Sequence, residues 1–170
     1  MMVDYLQNED LVSVGVKLSE CITADPDVIE YCQKHFGKKI TAIVGVDDAS
    51  IPDESCTPYV FLNALSKNEG ARSTIAQYEV YFCIGISCEE NDLASTENGT
   101  IVLAGTQKLS KLMTLIQNAL NTYKKPNSCT PPSKVEATIF GRVGNSPTHW
   151  MGAIAAVWQI ELAIGEKFEF

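Results

Sequence analysis

The chain has no excess of basic residues, no C-x-x-C pair and only two histidines. Nor does it hold an apolar run near the roughly 18 residues of a membrane span. With 13 basic against 21 acidic residues and a formal charge of −8, it lacks the basic footprint through which proteins bind nucleic acid by counterion release. The six cysteines show no metal-knuckle spacing, and an odd separation puts Cys83 and Cys88 on opposite faces of one predicted strand. The opening MMVDYLQNED lacks the basic stretch and apolar block of a secretory signal, so a cytoplasmic chain with reduced thiols packed as small hydrophobes is expected. A phosphate loop is missing too, because Gly141-Arg142-Val143-Gly144 follows a strand without opening a helix. No catalytic or metal set stands at a recognisable spacing, and the expectation is a protein that is not an enzyme and carries no cofactor or metal.

What is present is the patterning of one hydrophobic core. A length of 170 residues, 45% of them hydrophobic, suffices for one domain and is short for two. The period is clearest in Gln77–Cys88, QYEVYFCIGISC, where Val80, Phe82, Ile84 and Ile86 alternate with Glu79, Tyr81, Cys83 and Ser87. That is the pattern of a strand buried on one side. Tyr59–Leu65, Lys134–Val143 and Ala153–Ile164 share it, and Lys39–Val46 reads as a further short strand. In the last strand Ile154, Ala156, Trp158, Ile160, Leu162 and Ile164 fall on one face, and its length suits the interior of an antiparallel sheet.

Helical spacing occupies the remainder. Leu11, Val14, Leu18 and Ile22 form a stripe, with Asn8 as the expected cap and Glu9 and Asp10 in the first turn. A second helix opens on Asp25 and Pro26 and stops at Gly37, with Lys34 and His35 complementing its dipole. The third is long: Thr100 is the expected cap, and Leu109, Leu112, Ile116, Ala119 or Leu120, and Tyr123 recur at threes and fours until Pro126. The fold class that follows is α+β: a mostly antiparallel sheet of about five strands with helices packed on it, one long helix lying between strands three and four. A single domain spans 1–170, with a helical N-terminus over 8–36 and the sheet and long helix over 39–165.

The loops are where function is expected. Asp47, Asp48, Asp53 and Glu54 crowd one connection, but neither their spacing nor the glycine of the EF-hand loop of about twelve residues is there, so a solvated acidic loop is the reading. Glu89, Glu90, Asp92 and Glu97 give a second acidic loop. Ser66–Ser73 reads as an exposed loop between antiparallel strands, and Lys67, Glu69 and Arg72 in it are the candidate contacts to a neighbouring subunit. His149 and Trp150 stand together near a turn; packing of the aromatic at the sheet edge is preferred to a base beside a stacking platform.

In this order of elements the chain resembles the tail-terminator, or tail-completion, proteins of long-tailed bacteriophages. The resemblance rests on Pro58-Tyr59-Val60-Phe61 opening the second strand, Glu79-Val80 in the next, the Leu109–Leu120 helix and Trp158-Gln159-Ile160-Glu161 near the end, and it covers about Leu11 to Ile164. It implies a structural virion protein that closes into a ring, a homohexamer, on the head-proximal end of the tail tube. There it stops tube polymerisation and offers a surface for head joining. Implied partners are further copies of itself, the tail tube protein and a head-tail connector protein, with DNA passing the lumen without specific binding and no membrane. The implied location is the virion tail, reached through the host cytoplasm during assembly. The loops 66–73 and 89–99 and the N-terminal helices exceed the usual brevity of that family. Two alternatives stand beside it: another head-to-tail neck protein, or a small enzyme or ligand-binding domain whose site joins Tyr81, Arg142 and His149 in a deep pocket.

Overall fold

A computed structural model of the chain describes residues 10–45, 51–69, 75–89, 93–95, 98–121 and 132–161. Two helices come first, α1 over Leu11–Thr23 and α2 over Pro26–Phe36, followed by β1, Thr41–Val44. A single 3-10 turn at Glu54–Cys56 leads into β2, Tyr59–Glu69, and then β3, Ile75–Ser87. Two short strands, β4 (Leu93–Ser95) and β5 (Ile101–Leu103), precede the long helix α3, Ala104–Asn121. The strands β6, Lys134–Arg142, and β7, His149–Glu161, close the described chain.

The main sheet has five strands in the order β1-β2-β3-β7-β6. Only the β1–β2 pair is parallel; the other three pairs are antiparallel. The expected α+β class with a mostly antiparallel sheet therefore holds. β3 is the central strand, and β7 is interior, paired along its whole length with β3. The alternation read in the sequence places Val80, Phe82, Ile84 and Ile86 in the core beside Ile154, Ala156 and Trp158 of β7, all of them buried.

All three helices contribute to that same core. From α3 come Leu109, Leu112, Ile116 and Leu120, each fully buried, the stripe that recurrence at threes and fours dictates. α1 adds Val14, Leu18 and Ile22, and α2 adds Val28 and Cys32. At about 1.5–3 kcal/mol for each fully buried aliphatic or aromatic side chain, this layer is what orders the sheet. Two polar ties fix the helices to one another: the Cys21 thiol donates to the Ala119 carbonyl at 3.2 Å, and the Tyr31 hydroxyl donates to the Lys108 carbonyl at 3.1 Å. The five described cysteines are free thiols. Burial pushes Cys32 up to about 12 and Cys21 up to about 11, which keeps both neutral in the packing role expected of them.

The helix ends follow local chemistry with one correction. Asp25 accepts from the backbone N–H groups of Asp27 and Val28, Pro26 occupies the first turn, and Gly37 closes α2 in the left-handed conformation. The first helix, however, is capped by Asp10, whose carboxylate accepts from the Ser13 N–H and hydroxyl at 2.9 and 2.6 Å. A short acidic side chain directly before the stripe satisfies the free N–H groups. The expected cap Asn8 lies outside the described residues.

Three further expectations are corrected. The predicted loop 66–73 is narrower, since β2 runs to Glu69 and β3 resumes at Ile75. A bulge between Leu62 and Ala64 shifts the register by one residue, so the alternation changes parity there, and a strand with a broken period reads as a loop. The acidic loop 89–99 contains β4, which pairs with β5 through Leu93↔Leu103, Ala94↔Val102 and Ser95↔Ile101. α3 accordingly starts at Ala104 rather than after Thr100, because Ile101-Val102-Leu103 takes the extended form that β-branched residues favour. Lastly, β7 begins at His149, so Trp150 belongs to an interior strand instead of a sheet-edge turn. The residues 122–131, which hold most of the proline-rich connector, and Leu162 and Ile164 lie outside the described residues.

Trp150 explains a glycine that helix propensity alone disfavours. Its indole lies so close to α3 that a Cβ on Gly105 would overlap the ring. Gly105→Val forces that overlap within a packed core, and a loss of about 1–3 kcal/mol is expected. The measurement is urea denaturation: the midpoint falls with an unchanged slope, whereas an unchanged midpoint would show that Trp150 is not seated on the helix.

Candidate functional site

The helices cover one face of the sheet and leave the other partly bare. On that second face Tyr59, Phe61, Cys83 and Met151 form a small separate cluster, flanked by Ile43, Cys56, Tyr81 and Val143. The 3-10 turn touches β3 here and covers one end of the face. Farther along, a groove of about 310 Å³ crosses β2, β3, β7 and β6, floored by Ala64 and Ala155 and lined by Tyr81, Glu79, Lys134 and Glu136. Lys134 and Glu136 pair at 2.8 Å, both largely exposed, and an ion pair so solvated contributes little to stability.

The densest polar cluster gathers around Glu54. Its carboxylate accepts from the Ser146 hydroxyl at 2.6 Å and the Ser87 hydroxyl at 3.0 Å, and also from the Thr148 hydroxyl. Asp53 caps the turn by accepting from the Ser55 N–H at 2.8 Å. Glu54 was expected to be solvated. It is instead a clasp that holds the 3-10 turn to the end of β3 and to the β6–β7 turn. The Ser146 and Thr148 hydroxyls hold the Glu54 carboxyl below its usual range, against the opposing effect of burial.

Beside the clasp His149 is 6% exposed, and its Nε2 shares a hydrogen bond of 3.1 Å with the Tyr59 hydroxyl. Burial lowers the His149 pKa below its ordinary value, opposed by the Glu54 and Asp53 carboxylates. Burial also raises Tyr59 strongly, so both partners of that bond are neutral near pH 7. No spacing in the sequence joins Glu54, Tyr59 and His149, because two turns and a strand pairing bring them together across about 90 residues. The one readable signal is the run Ser146-Pro147-Thr148, hydroxyls on a turn that can point to a common acceptor.

The other candidates separate. Lys67 sits on β2 rather than in a loop, half-buried, with its ammonium 5.6 Å from the centre of the Tyr78 ring. Glu69 ends the same strand, and Arg72 lies outside the described residues. Arg142 stacks on Trp150 at 4.9 Å from the ring centre, on the helix-covered side. Tyr81 lines the groove on the opposite face without Arg142 or His149, so the deep pocket joining those three does not form. His35 packs against Tyr31 with ring centroids 4.3 Å apart at the end of α2. Among the described residues no group of three or more His, Cys, Asp and Glu could hold a metal ion, and no helix is long and apolar enough to cross a membrane.

No protein-family model matches the chain, and no curated protein matches it.

The clasp sets a pH dependence whose direction follows from the two shifts. As pH falls below about 6.5, unfolded His149 takes up a proton before folded His149 does, so the unfolded state gains. As it falls further, through the folded value of Glu54, the stability that Glu54 supplies above its unfolded pKa is lost as well. Chemical denaturation between pH 8 and 3 is therefore expected to give a flat region above neutrality and two successive losses below it. His149→Gln is expected to reduce the upper loss and Glu54→Gln the lower one, to which Asp10 and Asp53, held below their ordinary values by hydrogen bonds from Ser13 and Ser55, also contribute; two profiles identical to the wild type would show that neither group is linked to folding.

Proposed function

We propose that this chain is a structural subunit that closes into a ring on the head-proximal end of a bacteriophage tail tube, ends tube growth there and presents a surface for joining the head. The observation that carries the reading is where the apolar side chains outside the core lie. Of the nine large exposed hydrophobics among the described residues, Leu93, Ile101, Leu103, Ile139 and Phe140 lie on the short β4–β5 ribbon or the outer strand β6, while Leu11, Val12 and Val16 lie on α1 and Ile51 precedes the 3-10 turn. A folded domain that keeps apolar groups on strand edges invites pairing with another chain unless a partner covers them.

A ring uses such edges. Each subunit contributes two different surfaces, and a rotation that closes leaves none unpaired. In this reading Lys67 and Glu69 at the end of β2, together with Arg72, which lies outside the described residues, contribute to the surface that contacts a neighbouring subunit or the tube. The net charge of −8 suits a lumen along which DNA slides without being gripped. Sheet, helices and loops then act as a scaffold, and no covalent chemistry is asked of any side chain.

Two measurements test the reading. Negative-stain images of the purified protein with and without tail tubes are expected to show rings, free or seated on one tube end, and tubes grown in its presence are expected to be shorter. A protein that ignores tube ends and associates with head portals instead would make it a neck component. In a gel-shift assay at low salt, the acidic surface is expected to give no binding to duplex DNA; a retarded band that weakens steeply with salt would contradict the passive lumen.

A further inference from the structure

We infer that Asn98 is a site of spontaneous covalent modification: in the folded protein its side-chain amide is lost through a cyclic imide formed with Gly99, leaving aspartate and isoaspartate in the turn between β4 and β5. The reaction is independent of the ring reading, and its co-reactants are water and a base that takes up a backbone proton.

Reactivity depends first on the residue that follows. The backbone nitrogen after an asparagine can attack the side-chain Cγ and close a five-membered ring, but a side chain on that next residue crowds the approach. Glycine has no side chain to do so. The chain holds nine asparagines, and only Asn98 is followed by glycine.

The backbone around each asparagine narrows the choice to the same place. Asn63 and Asn68 lie within β2, Asn68 opposite Gln77 of β3, and Asn118 lies within α3. In such elements the backbone is held in one conformation by its regular hydrogen bonds. Asn145 is exposed, but Ser146 follows it, and that residue is tied down. Its hydroxyl donates to Glu54 at 2.6 Å and accepts from the Thr148 N–H at 3.3 Å.

Asn98 and Gly99 are both exposed, and they lie between the paired residues Ser95 and Ile101 rather than among them. Gly99 has φ 77°, and a Cβ built on it would meet nothing within 4 Å. The nucleophile therefore stands in open space, on a turn residue without a side chain, next to an amide of the thermolabile class.

The step balances without oxidant or reductant. Hydroxide or a buffer base draws the proton from the Gly99 nitrogen, and that nitrogen bonds to Asn98 Cγ. The Cγ–Nδ2 bond then breaks, and the leaving nitrogen takes up a proton and departs as ammonia. Water adds to either carbonyl of the imide and reopens the ring. Breaking the new bond at Cγ gives aspartate; breaking the original peptide bond gives isoaspartate, whose main chain runs through Cβ. Either product adds a negative charge. Isoaspartate also lengthens the connection between two three-residue strands, a ribbon of little stability by itself.

Peptide mapping by mass spectrometry tests the assignment. Folded protein warmed at pH 8 is expected to gain, on the peptide that contains Asn98, the mass of NH2 replaced by OH, in two chromatographic forms, and to do so more slowly at pH 6. Enzymatic methyl labelling of isoaspartate identifies one of the two. Gly99→Ala is expected to slow the gain several-fold and Asn98→Gln to abolish it over the same period. Should Gly99→Ala fail to fold, Asn98→Gln carries the comparison. Conversion of Asn145 ahead of Asn98, or conversion of Asn98 in the urea-unfolded chain but not in the folded one, overturns the inference. So does a product that is aspartate alone, which would indicate direct hydrolysis without the imide.

Discussion

The burial of β3 against the helical layer is the constraint on which the remaining structure depends. Val80, Phe82, Ile84 and Ile86 cannot leave water unless α3 and the N-terminal helices cover them. Because all three helices pack into that one core, among the described residues the opposite face carries a 3-10 turn and a groove. The densest polar cluster among the described residues then collects at one end of that face. The Glu54 clasp anchors the cover over one end. The ribbon, the β6 bulge and the outer side of α1, with Leu11, Val12 and Val16, keep further apolar surface in contact with solvent.

These regions differ in what they can do. Around Glu54 the donors and acceptor satisfy one another, and His149 is committed to Tyr59. Such a part-buried network holds a turn in place. The strand-edge patches have the opposite character. They are apolar and exposed.

How much was legible in the sequence differs between core and site for one physical reason. Alternation at two and recurrence at three to four report local geometry, so β3, β7, α2 and the α3 stripe could be read directly. The Asp25 cap, Pro26 and Gly37 are likewise chemistry within a few residues. The readings that needed correction are those in which a neighbour decided. The bulge at Leu62 and Ala64 hid the end of β2, pairing with Leu93–Ser95 turned an expected helix start into a strand, and Asp10 rather than Asn8 met the free N–H groups of α1.

By itself, then, the sequence determined an α+β domain with one amphipathic sheet, a long covering helix and a surplus of negative charge, because each of these is a sum over residues or a local period. Tertiary structure alone decided that Glu54 gathers Ser87, Ser146 and Thr148, that His149 meets Tyr59, and that Phe140 is turned out at a bulge. Those relations join residues far apart in the chain, and they exist only once the strand order β1-β2-β3-β7-β6 has brought distant turns to the same end of the sheet.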